Sequence, residues 1–566
     1  MSTLDYVVLL GTMLGIVAYG MWRTRGRRSL ETYLKGEGHT PWFVIGLSVI
    51  ATQASATTFL SIPGQGYQDG LSFVQNYFGA PLAMIVIAAV FLPIYRKLNV
   101  YTAYEYLGQR FDQKTRLLGA ALFLVQRGLG AGLTIYAPAI VLSTILGWPL
   151  DATIIGSGVL ATIYTVTGGN EAVTVTQKYQ IALIFAGMLT AFVLLLEKLP
   201  AGLGFGDALT VAGSFHKLNA VSFSVDPHER YTVWTGTLGG MFLALSYFGT
   251  DQSQVQRYLT GGPLRESRLG LMFHAVCKIP MQFCILLLGV LIFVFYQFET
   301  PPVNFNETAW REAVAHGAGA QLRALEQEFT TAHAEERQQL QAWLTARQAG
   351  DTAAENHAKT AAALAHDRLE TARAATKTAI AESSPGAQGN DSDYVFINFI
   401  LHYLPHGVIG LLIAAFFAAT FSSKAAEISA LGSTTTVDFY RFLLHPEASD
   451  AHCVAMSKVF TGCWGLVAIC FALFANLQEN LVQAVNIVGS LFYGAVLGLF
   501  LLAFFVRWVR GTAAFWGALA AQVLVIELYN LLDISYLWYN LLGPAICILF
   551  GLIIQLALPK TEVSSA

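Results

Sequence analysis

Ser48-Val-Ile-Ala51-Thr52-Gln53-Ala54-Ser55-Ala-Thr57-Thr58-Phe59-Leu-Ser61-Ile-Pro63-Gly64-Gln65-Gly66 is the stretch whose reading decides the fold. It lies inside an apolar run, 41–66, long enough to cross a bilayer, because a hydrocarbon core of about 30 Å needs about 20 helical residues. Hydroxyls and amides crowd its middle, which makes it a poor lipid-facing helix. Backbone freed by a break survives at membrane depth only where it lines a cavity or is buried in protein. The stretch therefore reads as a broken helix beside a polar cavity.

The surrounding chain supports a membrane setting. Of 566 residues, 55% are apolar and only 12% charged, about half the charged fraction of a soluble protein. That excludes a disordered chain, a nucleic-acid binder and an ordinary soluble enzyme. The six cysteines show no paired spacing, so neither a disulfide framework nor a zinc site is expected. Thirteen apolar runs read as spans: 4–22, 41–66, 73–95, 115–146, 149–167, 177–197, 232–256, 268–297, 395–425, 456–475, 480–506, 512–532 and 536–557. The first is no signal peptide, because its leading residues hold Asp5 and the basic cluster Arg23, Arg25, Arg27, Arg28 follows the run. With the N-terminus outside and the C-terminus inside, that cluster and Arg96, Lys97, Arg110, Lys114 and Arg116 all fall in inner loops, as the positive-inside rule requires.

Residues 300–393 break the pattern, holding 13 of the 36 acids and 8 of the 33 bases. Their Ala, Glu, Gln and Arg content favours helix, and Ala349-Gly350-Asp351 reads as a break. The expectation is an outer helical hairpin, 307–348 and 352–383, returning to the membrane through 384–393. It is either a tolerated insertion or a docking surface for a partner or a second copy.

A second interruption, Ser246-Tyr247-Phe248-Gly249-Thr250-Asp251-Gln252-Ser253-Gln254, lies five spans after the first. An odd shift inverts orientation, so the two halves read as inverted repeats, and paired broken helices point to a transporter's midplane site. The ninth span places Ala419, Ser422 and Ser423 at i, i+3 and i+4 on one helix face. With freed carbonyls opposite, they make an all-oxygen cage suited to a hard monovalent cation. Arg127, in the Gly-rich stretch Gln126 to Tyr136, and Lys278 are cations inside spans. Arg127 needs a partner there, which Asp251, a backbone carbonyl or a substrate carboxylate could supply.

Four motifs carry a resemblance along nearly the whole chain: Ser55-Ala-Thr-Thr-Phe59, Gly168-Gly169 with Ala172-Val173, Asp251-Gln-Ser-Gln-Val-Gln-Arg-Tyr258, and Ser422-Ser423 through Thr434-Thr-Thr-Val-Asp438-Phe-Tyr440. On these the chain resembles the sodium/solute symporter family, whose members carry sugars, proline, sialic acid, iodide and monocarboxylates. The resemblance implies an all-α integral membrane protein of the LeuT type, with a 5+5 inverted-repeat core. The segments are a first helix and inner loop (1–40), the first repeat (41–197), an outer loop (198–231), two helices of the second repeat (232–299), the insertion (300–393), the remaining three helices (394–506), and two peripheral helices with a short tail (507–566). It also implies a sodium site formed by the carbonyls of Ala51, Ala54 and Ala419 and the hydroxyls of Ser422 and Ser423. Gln177 stands where many members have an acid, and Ala425 and Ala426 stand where two-sodium members have hydroxyls, so one sodium is expected.

The expected function is sodium-coupled symport, and the protein is not expected to be an enzyme. Thr58, Tyr77, Ala80, Ala244 and Val485 replace sugar-contacting positions, leaving only Lys278, which disfavours a hexose. The substrate is read as an organic anion, either a sugar acid such as sialic acid or a monocarboxylate. The expected lining is Gln53, Ser55, Thr57, Thr58, Gln75, Asn76, Tyr77, Arg127, Phe248, Asp251 and Lys278, with Tyr247 also as a gate. Rival readings are a transporter-fold sensor acting through 300–393, and a proton-coupled carrier titrating Lys424 or Asp251. The expected location is the plasma (inner) membrane, with solute, sodium and lipid as partners and no nucleic acid.

Overall fold

The computed structural model describes residues 1–23, 41–98, 100–200, 203–259, 263–383, 390–475 and 479–558, and leaves the side chains of 16–23, 167–176 and 178 undescribed. The basic cluster at Arg23 to Arg28 and most of the return 384–393 therefore lie outside the described side chains. Among the described residues the regular structure is helical throughout, with no strand. In chain order the helices are α1 (Thr3–Arg23), α2 (Trp42–Gln53), α3 (Ala56–Asp69), α4 (Ser72–Leu98), α5 (Ala103–Arg110), α6 (Gln113–Leu146), α7 (Leu150–Glu197), α8 (Phe205–Ser214), α9 (Gly240–Gly249), α10 (Gln252–Leu259) and α11 (Leu264–Phe298). There follow α12 (Glu307–Ala313), α13 (Gly319–Ala349), α14 (Thr352–Ser383), α15 (Ser392–Tyr403), α16 (Val408–Thr434), α17 (Asp450–Phe474), α18 (Leu481–Phe505), α19 (Gly511–Leu531) and α20 (Tyr539–Ala557).

Nine described helices are long and apolar enough to cross a membrane, and the bent pair α2–α3 makes ten. Two expected boundaries are corrected. The runs 149–167 and 177–197 are one continuous helix, α7. Gly168 and Gly169 weaken a helix but, unlike proline, leave its N–H donors in place. The run 395–425 is two helices, α15 and α16, parted at Leu404-Pro405-His406-Gly407. Pro405 offers no N–H, and Gly407 takes φ 90°, which an L side chain resists. Asp5 of α1 seals this break, accepting the Gly407 N–H at 2.6 Å.

The helices fall into two packing groups. In one, α2 and α3 pack on α11, and α9 packs on α4; in the other, α6, α7, α16 and α17 pack on one another. Glycines set the spacing of the first group. A Cβ at Gly66 would strike the Leu286 carbonyl of α11, and one at Gly289 the Pro63 carbonyl of α3.

α13 and α14 form a helical hairpin, with the turn at Gly350 (φ 74°) and a kink at Gly317 (φ 102°) that splits α12 from α13. It lies along the body, since Leu340, Trp343, Ala358 and Ala362 join the main apolar core. Arg373 fastens it: Nη1 donates to the Tyr67 hydroxyl at 2.9 Å, and Nη2 pairs with Asp391 at 3.2 Å.

Candidate functional site

Both expected interruptions are real. Between α2 and α3 the chain bends by 63°, and Ala54 (ψ 72°) leaves the helical ladder. Between α9 and α10 the helix ends at Gly249, Thr250 is non-helical, and Asp251 caps the next helix, its Oδ1 accepting the Ser253 N–H at 2.9 Å. The first break and the end of α9, at Tyr247 and Phe248, face a central cavity of about 110 Å³.

Of the residues expected to hold the solute, Gln53, Ser55, Thr57, Thr58, Asn76, Tyr77, Arg127, Tyr247, Phe248 and Lys278 line this cavity. Gln75 and Asp251 do not. Gln75 is a clasp for the loop after α8, donating to the Tyr231 carbonyl at 2.8 Å and accepting the Ser222 N–H at 3.0 Å. Its neighbours Asn76 and Tyr77 sit on the same 3-10 turn, but adjacent helical residues do not share a face. Asp251 is the partner of Arg127, which donates to it through Nε at 3.0 Å and through Nη2. Arg127 also donates to the Tyr493 hydroxyl at 3.0 Å and lies 5.2 Å above the Tyr247 ring.

Thr134, Glu427 and Tyr493 line the cavity as well and were not expected. Glu427 was legible. It stands three residues after Lys424, and an acid and a base at that spacing meet on one helix face; their contact is 2.9 Å. Tyr493 gave no sequence signal. Arg127, Asp251, Lys424 and Glu427 thus form a closed set of two cations and two anions. Lys278 stands apart from it. It is 1% exposed and lies 4.6 Å over the Tyr77 ring, and among the described residues no carboxylate pairs with it.

At the expected ion cage, Ser422 Oγ is buried with no hydrogen-bond partner. Ser423 Oγ donates to the Ala419 carbonyl at 3.1 Å. α2, which carries Ala51 and leads into Ala54, packs on α16. These oxygens suit a hard cation, and an orphaned buried hydroxyl is explained by one. Lys424 points away from the cage, to the Ala131 carbonyl of α6 at 2.7 Å. Gln177 spans α7 and α2, accepting from Ser48 at 2.5 Å and donating to Thr52 at 3.3 Å.

Hydrogen bonds cross between elements at both ends of the cavity. At the hairpin end, Asn480 donates to Gln65, and the Leu481 N–H donates to Asp393 at 3.0 Å. At the other end, Tyr104 donates to the Thr250 carbonyl and Gln252 to the Tyr101 carbonyl, both at 2.9 Å.

The fold is shared with the substrate-bound outward-open structure of a Na+-coupled sialic acid symporter, at TM-score 0.74 and 22% identity, covering 99% of this chain and 98% of that one. The mouse sodium-coupled monocarboxylate transporter 2 is 26% identical over 533 residues, 92% of this chain and 72% of that protein. The human sodium/iodide cotransporter is 32% identical over 295 residues, 52% of this chain and 45% of that protein, so the chain matches less than half of that relative's length. The sodium:solute symporter family matches residues 33–319 and 372–521, well over half the chain, which narrows the unmatched part of the hairpin to 320–371. Its members are transporters that use sodium ions, not enzymes. The chain belongs to the sodium:solute symporter family.

Proposed function

We propose that the chain couples entry of one sodium ion to uptake of a small organic anion, of monocarboxylate size, by alternating access. The observation that carries this reading is Lys278. It is a buried cation lining the cavity with which no carboxylate pairs among the described residues, and burying a lone charge is costly. A ligand carboxylate would complete it. Arg127, by contrast, already has Asp251 and Glu427. The cavity of about 110 Å³ favours a solute of few heavy atoms over a sugar acid, since a cavity of about 150 Å³ accepts benzene. The names of the monocarboxylate and iodide relatives agree with a small anion.

Sodium would be held by the carbonyls of Ala51, Ala54 and Ala419 and the hydroxyls of Ser422 and Ser423. Such a bond set joins the α2–α3 break to α16, and so ties one packing group to the other. Solute in the cavity does the same through Lys278 on α11 and Thr134 on α6. Because both ligands favour one arrangement of the two groups, each raises the other's affinity by the same factor. Lys424 and Asp251, the groups a proton-coupled carrier would titrate, are both engaged in ion pairs, which favours sodium. We read the N-terminus as outside, because the basic residues that follow α1 and α4 belong on the inner side. Tyr247, over which Arg127 lies, serves as the gate.

The test is uptake of short monocarboxylates into proteoliposomes. Sodium-driven uptake is expected, and it should collapse in Ser422→Ala with Ser423→Ala. Uptake that ignores sodium, or survives that double substitution, would overturn the sodium role. Uptake of sugar acids in preference to monocarboxylates would overturn the solute assignment.

A further inference from the structure

We propose that the Lys424 ammonium is a tethered cation filling a second alkali-cation site between α6 and α16, and that it thereby fixes the coupling at one sodium per solute. The inference rests on the sodium-symport reading above and adds a site to it.

Lys424 follows Ser423 directly on α16 and is 1% exposed. Its ammonium donates to the Ala131 carbonyl at 2.7 Å and meets Glu427 Oε2 at 2.9 Å. The same carboxylate oxygen accepts the Thr134 hydroxyl at 3.2 Å. The ammonium therefore sits among a main-chain carbonyl, a carboxylate oxygen and, one bond further, a hydroxyl. Such an oxygen set would hold a bare monovalent ion equally well. The carbonyl is reachable because α6 is stripped of side chains there. Gly130 and Gly132 flank Ala131, and over Gly130 only the end of Gln126 comes within 4.0 Å. Thr134 and Glu427 both line the central cavity, so an ion in this place would lie on the solute's route.

Charge count makes the same point. Arg127 and Lys424 balance Asp251 and Glu427. Removing the ammonium leaves one uncompensated carboxylate and an oxygen-lined space where the Lys424 ammonium lay. A buried uncompensated charge is strongly unfavourable, so a free cation is drawn in. A monoanion moving with one sodium carries no net charge, whereas with two sodium ions it carries one positive charge.

The experiment uses the full chain as wild type, Lys424→Ala, and Lys424→Ala with Glu427→Gln. Thermal stability and uptake are titrated with sodium. The expected sodium dependence is first order in wild type, second order in Lys424→Ala, and first order again in the double variant. Uptake by Lys424→Ala should become sensitive to an inside-negative potential, while wild type stays indifferent. Propylammonium, which replaces the deleted atoms, should lower the Lys424→Ala requirement back to one sodium. A folded Lys424→Ala with first-order sodium dependence would overturn the proposal. So would a variant that neither sodium nor propylammonium allows to fold. If wild type ignores sodium while Lys424→Ala gains a cation dependence, the symport reading fails and the tethered cation stands.

Discussion

Arg127 and Arg373 are buried to nearly the same depth, 2% and 3% exposed, and each lies over aromatic rings, Tyr247 for one and Tyr67 with Phe305 for the other. Their surroundings differ. Arg373 is enclosed, with Asp391 held further by Lys377 at 2.7 Å and by the Phe305 N–H at 2.9 Å. Arg127 opens on a cavity, and it joins α6 of one packing group to Asp251 of the other. The first arginine is a joint between the two packing groups, the parts that the proposed alternating access would move. The second is a fastening, made of many contacts that all hold one arrangement. Burial and pairing alone do not separate these roles; what each ion pair connects does.

The largest effect should come from Arg127→Ala. It strands Asp251 and Glu427 at the cavity, and breaking a buried pair costs about 3–5 kcal/mol. Both uptake and thermal stability should fall, and Arg127→Lys should not restore uptake, because a single ammonium cannot reach Asp251, Glu427 and Tyr493 together as the planar fork does. Retained uptake in Arg127→Ala would erase the contrast. Arg373→Met should lower the melting temperature by a comparable free energy, about 3 kcal/mol, yet leave uptake per folded molecule unchanged. Lys278→Gln should raise the KM for the anion roughly ten- to hundredfold, the worth of a charged hydrogen bond, without altering stabilisation by sodium alone.

The smallest effect is one of pH. Burial would raise the Asp391 carboxyl, but the Arg373 and Lys377 cations outweigh it and hold the group well below the ordinary carboxylate range. A carboxyl lowered in the folded state contributes stability above its unfolded value, near 3.9, and loses it only as pH falls through the folded one. Hydrogen-exchange protection factors in α14, corrected for the intrinsic exchange rate, should therefore be the same at about pH 7 and about pH 5. Loosening in that window would show the hairpin to be held by another group.

The breaks were legible in the sequence because hydroxyls, amides and Pro-Gly are too costly to place against lipid, so inside an apolar run they mark a cavity or a buried contact. Ser422 and Ser423 were legible from spacing on one face. The hairpin turn was legible from Gly350. What was hidden depends on distant contacts. Arg127 had three candidate partners, and only the fold, which brings the α9–α10 break within reach of its side chain, selects Asp251. Gln75 was misplaced because residues adjacent in sequence point in different directions on a tight turn. The continuity of α7 was hidden because paired glycines suggest a loop without requiring one.

The hairpin carries five more acids than bases, 8 bases against 13 acids over residues 300–393, and it is laid along the body at the end of α3. A sheet of negative charge at one mouth of a carrier raises the local concentration of cations and lowers that of anions within a Debye length, about 8 Å at physiological salt. On the proposed function the insertion should therefore act on the two ligands with opposite sign, gathering sodium and repelling an anionic solute. Removing 320–371, or raising ionic strength, should weaken apparent sodium affinity and strengthen apparent solute affinity together.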